Sequence, residues 1–336
     1  MKSIKSVLLT LALIALPVLI AIVSLGCGRY EMSMIDTLSL IYQGLFNSGL
    51  NFDNTEVTVL FNLRIPRVIL AALAGAGLAV SGASFQSLFT NPLATPDTLG
   101  VASGASFGAV LAIMLGFDLI GIQILAFIFG LLAVGLAYQV GMFQGKRSII
   151  SIILAGIVIS ALFGALISLL KYLADPQDVL PSITYWLMGS LSRASYPYLA
   201  IGAPFVILGV LTIFLMRWKL NALSLDEDEA LSLGINVKRS RAIIIVASTF
   251  VTASCVSMCG QIGWVGLVVP HIARMVFGSD NRYVVPTSIS FGIIFMIVMD
   301  TLSRSLGPAE LPVSILTALI GAPLFIILIK KTGGNW

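Results

Sequence analysis

Apolar runs of about 20 residues, the length that crosses a ~30 Å hydrocarbon core as a helix, recur along the whole chain. Lipid offers backbone groups no hydrogen-bond partners, so each run is expected to be helical. The pattern predicts an all-α, polytopic membrane protein with one transmembrane domain over residues 1–336. About ten spans are predicted, at 7–26, 66–85, 98–116, 119–142, 149–171, 198–217, 241–260, 264–277, 284–305 and 313–330.

Two of the predicted spans depart from a plain apolar run. The first follows Lys2 and Lys5 as in a signal peptide, but residues 7–25 are long enough to cross a membrane. We interpret it as a transmembrane helix rather than a cleaved leader. The eighth, at 264–277, is short and contains Pro270, so we expect a tilted or broken helix sheltered by its neighbours.

The composition supports a lipid-embedded chain. Hydrophobic residues make up 58% and charged residues 10%, against about 25% charged in a soluble domain, and the mean hydropathy is +1.04. Basic residues form no stripe, so no nucleic-acid partner is expected. With ten spans and the N-terminus inside, thirteen of the 19 Lys and Arg residues fall in inside segments and six in outside segments, which predicts that both termini are cytoplasmic.

The chain lacks the motifs of several enzyme classes. Neither GxxxxGK[ST] nor HExxH occurs, and the absence of the first motif argues against a chain that hydrolyses ATP itself. One histidine and three scattered cysteines supply no metal centre, so no catalytic residue, metal site or cofactor is predicted. Cys255 and Cys259 share a helix face and are expected to be buried filler.

Arginines and one acid mark the outer ends of two spans. Arg64 and Arg67 lie on one helix face at the start of the second span, and Asp300 and Arg304 are spaced to pair within the ninth. Two interpretations of Arg64 and Arg67 stay open. They anchor the helix at the membrane interface, or they dock a carboxylate of an outside protein, since arginine binds carboxylates bidentately.

Two inner segments are candidates for function. The stretch 82–97 joins the second and third spans with polar residues and two prolines, and is either a gate or a capped connecting loop. Residues 217–241 form the only long inner loop, and we expect one short helix there, capped by Asn221 or Ser224 and ended by Gly234.

Two ordered blocks resemble one known family. The blocks RIPR…GAGLAVSGASFQSLFTNPLATPDTLGVASGA and GQIGWVGLVVPHIARMVFGSDNRYVVP…ELPVSILTALIGAPLF are similar to those of FecCD-family ABC-importer permeases. The resemblance implies a type II importer permease in the cytoplasmic (inner) membrane of a prokaryote. It also implies a homodimer working with two ATP-binding subunits and one extracytoplasmic substrate-binding protein.

The resemblance also implies roles for individual positions. Arg64, Arg67 and Arg304 match the arginines that meet the binding protein, and residues 145–151 lie near a second gate. Gln86, Asn91 and Leu93 fall in the cytoplasmic gate and pathway segment. The residues matching the ATPase-coupling helices are Leu223, Leu225, Asp226, Glu227, Ala230, Leu233 and Gly234.

The predicted function is import of an iron–siderophore complex by alternating access driven by a separate ATPase. Haem, cobalamin and molybdate are the alternative cargoes that the resemblance allows. An ion-coupled secondary transporter is an alternative of another class, although such a carrier is expected to hold more intramembrane acids than Asp300. An intramembrane enzyme would need a catalytic constellation that the spans do not supply.

Overall fold

A computed structural model describes residues 2–46, 52–141, 149–225, 227–307 and 309–332. Within these ranges the regular structure is entirely helical. The predicted second gate at 145–151 falls largely outside the described residues, and so does Asp226.

In the described residues from Lys2 to Leu187 there are eight α-helices. They are α1 (Lys2–Gly26), α2 (Met34–Phe46), α3 (Thr55–Thr58), α4 (Ile65–Leu88), α5 (Val101–Met114), α6 (Leu119–Gly141), α7 (Ile149–Leu173) and α8 (Val179–Leu187). A π-helical turn, Val59–Arg64, precedes α4, and a 3₁₀ turn, Pro96–Leu99, precedes α5.

The C-terminal half continues the all-helical pattern. Its helices are α9 (Tyr196–Leu215), α10 (Arg217–Leu223), α11 (Glu227–Ser232), α12 (Val237–Cys259), α13 (Val265–Phe277), α14 (Asn281–Ser305) and α15 (Val313–Thr332).

Each predicted span coincides with an apolar helix of the described residues. Six helical segments are long and apolar enough to cross a membrane, and shorter apolar helices occupy the other predicted positions. Among the shorter ones is α13, which runs unbroken from Val265 to Phe277 with Pro270 inside it, so the structure shows no break at this proline. The predicted all-helical, polytopic class is confirmed.

The start of the second span differs from the prediction. Helical backbone is continuous from Thr55 to Leu88, so Arg64 and Arg67 lie inside a longer helix rather than at its first turn. The N–H of Ile65 donates to the carbonyl of Leu60 in the π-helical turn that leads to Pro66. This wider turn is where the chain accommodates a residue that has no N–H.

Helix α4 lies at the centre of the fold and packs against α9, α12, α13 and α14. Its glycines permit the closest approaches: a β carbon on Gly75 would lie 2.1 Å from the Gly292 carbonyl oxygen, and one on Gly82 1.9 Å from that of Gly266. Small residues let helices approach in lipid, where burial of apolar area supplies no net attraction. Cys255 and Cys259 are buried in the same core, as predicted.

The inner loop 217–241 forms two short helices, α10 and α11, instead of one. The expected capping by Asn221 or Ser224 is wrong. Asn221 lies inside α10 with its side chain bound to α14, and the Ser224 hydroxyl donates to the Asn221 carbonyl. Gly234 follows α11 in a left-handed conformation, φ 75°, as expected of a helix-ending glycine.

Candidate functional site

Arg67 holds a buried ion pair near the N-terminal end of α4. Its Nε donates to Asp300 Oδ1 at 2.8 Å, and its Nη1 donates to both oxygens of Glu310 at 3.0 Å. Asp300 is 1% exposed, and its second oxygen lies 3.5 Å from Arg304 Nε. The predicted pairing of Asp300 with Arg304 is therefore part of a larger charge cluster that joins α4 to α14.

The other two guanidiniums hold the chain segment that follows α1. Arg64 donates to the carbonyls of Leu25 (2.7 Å) and Tyr30, and Arg304 donates to the carbonyls of Cys27 (2.7 Å) and Ser24. The bonds to Leu25 and Cys27 give partners to carbonyls at and just after the end of α1, where the helix itself supplies none.

The structure thus brings the three predicted docking arginines together. All three are at most 9% exposed, and in this arrangement their contacts are to residues of the chain itself. Glu310 was missed in the sequence. The only signal was an acid placed just after a predicted span, before Leu311 and Pro312.

The predicted gate segment follows the inner end of α4. Gln86 is 3% exposed and lies inside the helix, whereas Leu93 is 56% exposed on the connecting turn. The Asn91 side chain accepts a hydrogen bond from the Leu93 N–H at 2.9 Å, and the Asn91 N–H donates to the Gln86 carbonyl at 3.1 Å. Asn91 therefore ties the turn to the helix and to itself.

A cavity of about 390 Å³, lined by several polar side chains and by apolar surface, lies beside this turn. Arg274 of α13 donates there to the Gln86 side chain and, at 3.3 Å, to the Ala83 carbonyl. The cavity is lined by Gln86, Ser87, Thr90, Asn91, Pro92, Ser224, His271, Arg274, Met275, Ser279 and Asn281. It connects the gate segment with the inner ends of α10, α13 and α14.

The predicted coupling residues divide into two groups. Leu223 and Ala230 are 2% and 1% exposed and pack into the chain's own core. Leu225 and Leu233 are 45% and 62% exposed. The neighbouring Leu231, which is not among the predicted coupling residues, is 53% exposed. The first group holds the loop in place, and the second presents an apolar surface.

The predicted coupling positions that remain are acidic residues and a glycine. The Glu227 backbone begins α11, and Gly234 follows its end.

Beside α10, the hydrogen bonds that Arg282 donates lower the pKa of Asp280 to about 2, so this carboxylate is charged at neutral pH. Among the described residues no group of His, Cys, Asp and Glu is placed to hold a metal ion.

The fold and its inner loop define a class of protein: a multi-pass membrane permease. The profile of the FecCD transport family matches residues 14–331. The chain belongs to this family, which confirms the resemblance found in its sequence. It is a transport subunit of an ABC importer, which implies an ATP-binding subunit and a partner permease or substrate-binding protein.

Similar proteins differ in the cargo that their names state. The chain is 40% identical to the molybdate import system permease MolB of Haemophilus influenzae, over 94% of this chain and 93% of that protein. It is 40% identical to an iron chelatin transport system permease of Helicobacter pylori, over 82% and 83%. A solved inward-facing transporter, assigned to the metal-chelate ABC type, is 39% identical, with a TM-score of 0.86 over 96% and 99%.

Proposed function

We propose that this permease imports a ferric chelate, an iron–siderophore complex. The observation that carries the proposal is the likeness to the metal-chelate type transporter, which extends over 96% of this chain at 39% identity. The similar iron chelatin permease adds support. Molybdate is the second candidate, favoured by 40% identity over 94% of the chain. Haem and cobalamin are further candidates, since a hemin permease and a cobalamin permease are each 37% identical to this chain.

The proposed assembly is a homodimer of this chain with two ATP-binding subunits and one extracytoplasmic binding protein. Both termini face the cytoplasm of a prokaryote, and the cargo passes between the two copies. The absence of a nucleotide-binding motif supports a separate source of energy. Nucleotide-driven closure of the partner would then tilt helices and alternate the access to the pathway.

The outer charge cluster is proposed as the docking site for the binding protein. Arg64, Arg67 and Arg304 meet within the same cluster, and guanidinium forks bind carboxylates well. In the docked state, a carboxylate of the partner would replace backbone carbonyls such as that of Tyr30 as the acceptor. Docking would therefore loosen the segment after α1, which links partner binding to a change in this chain.

The inner end is proposed to carry the gate and the coupling surface. Exposed Leu225, Leu231 and Leu233 would enter a cleft of the ATP-binding subunit, while buried Leu223 and Ala230 transmit its motion to the core. The turn containing Asn91 and Leu93 would open and close the pathway. Its short length and its hydrogen bonds to α4 support a gate that moves with the helix.

Uptake into vesicles tests the cargo. The permease is reconstituted with the ATP-binding subunit and the binding protein, and uptake of a radiolabelled ferric siderophore is compared with that of radiolabelled molybdate. We expect ATP-dependent accumulation of the ferric chelate and none of molybdate. Accumulation of molybdate without the ferric chelate would show that the cargo is the oxyanion. Uphill uptake without the ATP-binding subunit would contradict the proposed ATP-driven mechanism.

A further inference from the structure

Asn221 connects the coupling loop to the first turn of α14. Its side-chain amide donates to Asp280 Oδ1 at 2.7 Å, and its side-chain carbonyl accepts the Asn281 N–H at 2.8 Å. Both hydrogen-bonding groups of the side chain are therefore used by residues about sixty positions away. Such a two-point contact fixes the position and the rotation of α10 relative to α14.

The contact continues from α14 to the inner end of α4. The Asn281 side chain accepts a hydrogen bond from the Ser87 hydroxyl at 2.8 Å. Ser87 in turn accepts from Arg274 at 3.4 Å, and Arg274 also donates to the Gln86 side chain. The backbone carbonyl of Gln86 binds the N–H of Asn91, in the proposed gate turn.

The part of this series nearest α4 is buried. Gln86, Ser87 and Asn281 are at most 7% exposed, whereas Asn221 and Asp280 are partly exposed. A donor or acceptor that is this buried loses more free energy than an exposed one when its partner leaves, so separating one link is costly. Members of a satisfied buried network therefore tend to move together.

Apolar packing accompanies the hydrogen bonds but does not provide the same constraint. Leu220 and Leu223 of α10 share a core cluster with Leu88 of α4. Apolar contacts are non-directional and tolerate sliding, whereas the amide of Asn221 has defined donor and acceptor directions. The packing keeps α10 near α4, and the hydrogen bonds set the register between them.

We propose that the hydrogen-bonded series Asn221, Asp280–Asn281, Ser87, Arg274 and Gln86 transmits movement of the coupling loop to the gate turn. Asn221 is then a positioning residue of the transport cycle. This inference deepens the proposed function and depends on it for the roles of the loop and the turn. The series itself is a property of the permease alone.

An exchange of side chains tests the series. Asn221→Asp faces the Asp280 carboxylate with a second carboxylate and removes a donor. The double variant Asn221→Asp/Asp280→Asn restores the bond with donor and acceptor reversed, and asparagine remains a good N-cap for α14. Ser232→Ala is the matched control, since the Ser232 hydroxyl lies in the same loop and donates only to the Glu229 carbonyl.

In the reconstituted transporter, we expect Asn221→Asp to reduce the cargo moved per ATP hydrolysed about tenfold, as for loss of one charge-assisted hydrogen bond. The double variant should return this ratio to the wild-type range, and Ser232→Ala should leave it unchanged. A purely structural role would lower ATP hydrolysis and transport together. An unchanged ratio in Asn221→Asp, or no rescue by the double variant, would overturn the proposal.

A second measurement separates this inference from the proposed function. Hydrogen exchange of the purified permease alone should become faster over residues 88–95 in Asn221→Asp and return to the wild-type rate in the double variant. If hydrogen exchange over residues 88–95 is unaffected, the hydrogen-bonded series does not link the coupling loop to the gate turn, whichever cargo is transported. If exchange responds while the wild-type transporter moves no cargo, the proposed function fails and the series stands. Asn221→Ser provides the same comparison should Asn221→Asp not fold.

Discussion

At the scale of single residues, the three buried arginines show how burial determines the partners of a charged side chain. Arg64 and Arg304 donate to the backbone carbonyls of Leu25 and Cys27, at the end of α1 and just after it. Arg67 shares the buried Asp300 with Arg304 and also pairs with the more exposed Glu310. The cluster is consequently a structural joint as well as a proposed docking site.

Removal of the Asp300 charge is predicted to destabilise the permease strongly. Asp300→Asn leaves the guanidinium of Arg304 without a carboxylate in a buried site, and we expect a loss of about 3 kcal/mol in unfolding free energy. The measurement is denaturant or thermal unfolding in detergent. Glu310→Gln is the control, because the Glu310 side chain is 35% exposed and its ion pair is worth below about 1 kcal/mol. Equal effects of the two substitutions would contradict this account.

At the scale of helices, close packing in this fold depends on positions without a β carbon. Gly75 meets Gly292 across the α4–α14 contact, and Gly82 meets Gly266 across the α4–α13 contact. Gly104 and Gly108 similarly lie against the α6 backbone. The glycine spacing along the chain indicated smooth helix faces, but the partner of each face is a property of the folded molecule.

Alanine at Gly82 is predicted to separate α4 from α13. The added β carbon would lie 1.9 Å from a backbone oxygen, which cannot rotate away, so we expect a loss of about 1–3 kcal/mol. Gly164→Ala is the matched control, since nothing lies within 4 Å of its β carbon and alanine favours a helix. Melting temperatures in detergent should fall for the first variant and hold or rise for the second. The account fails if Gly82→Ala melts with the wild type.

At the scale of the whole molecule, the two proposed partner sites lie in different parts of the fold. The outer site is built from α1, α4 and α14 around Asp300, and the inner site is built from α10, α11 and the turn after α4. Such a separation means that each partner can be lost without the other. It also means that communication between them must pass through the helices, of which α4 contributes to both sites.

Two substitutions are predicted to separate the partners. Leu233→Asp places a charge on the exposed apolar surface and should abolish co-purification of the ATP-binding subunit while leaving binding-protein affinity unchanged. Arg64→Gln should weaken binding of the binding protein about tenfold or more and leave the ATP-binding subunit bound. Each variant is the control for the other. If Arg64→Gln only lowers the melting temperature, Arg64 is purely structural.

Much of the architecture could be predicted from the sequence because the solvent imposes it. A run of apolar residues in lipid has few choices besides a helix, so the predicted spans were found close to their positions. The ordered blocks around Arg64 and Pro270 were sufficient for the family. Boundaries were less certain: the π-helical turn that extends the helix before Pro66 left no signal in hydropathy.

The sequence by itself determined that this chain is an all-helical, lipid-embedded permease of the FecCD family without a nucleotide-binding motif of its own. Those properties follow from composition, local periodicity and ordered motifs. The tertiary structure alone decided that Leu223 is buried while Leu231 is exposed, and that Asn221 binds α14 rather than capping a helix. These outcomes depend on contacts between residues distant in sequence, and no local pattern specifies which side chains such contacts bring together.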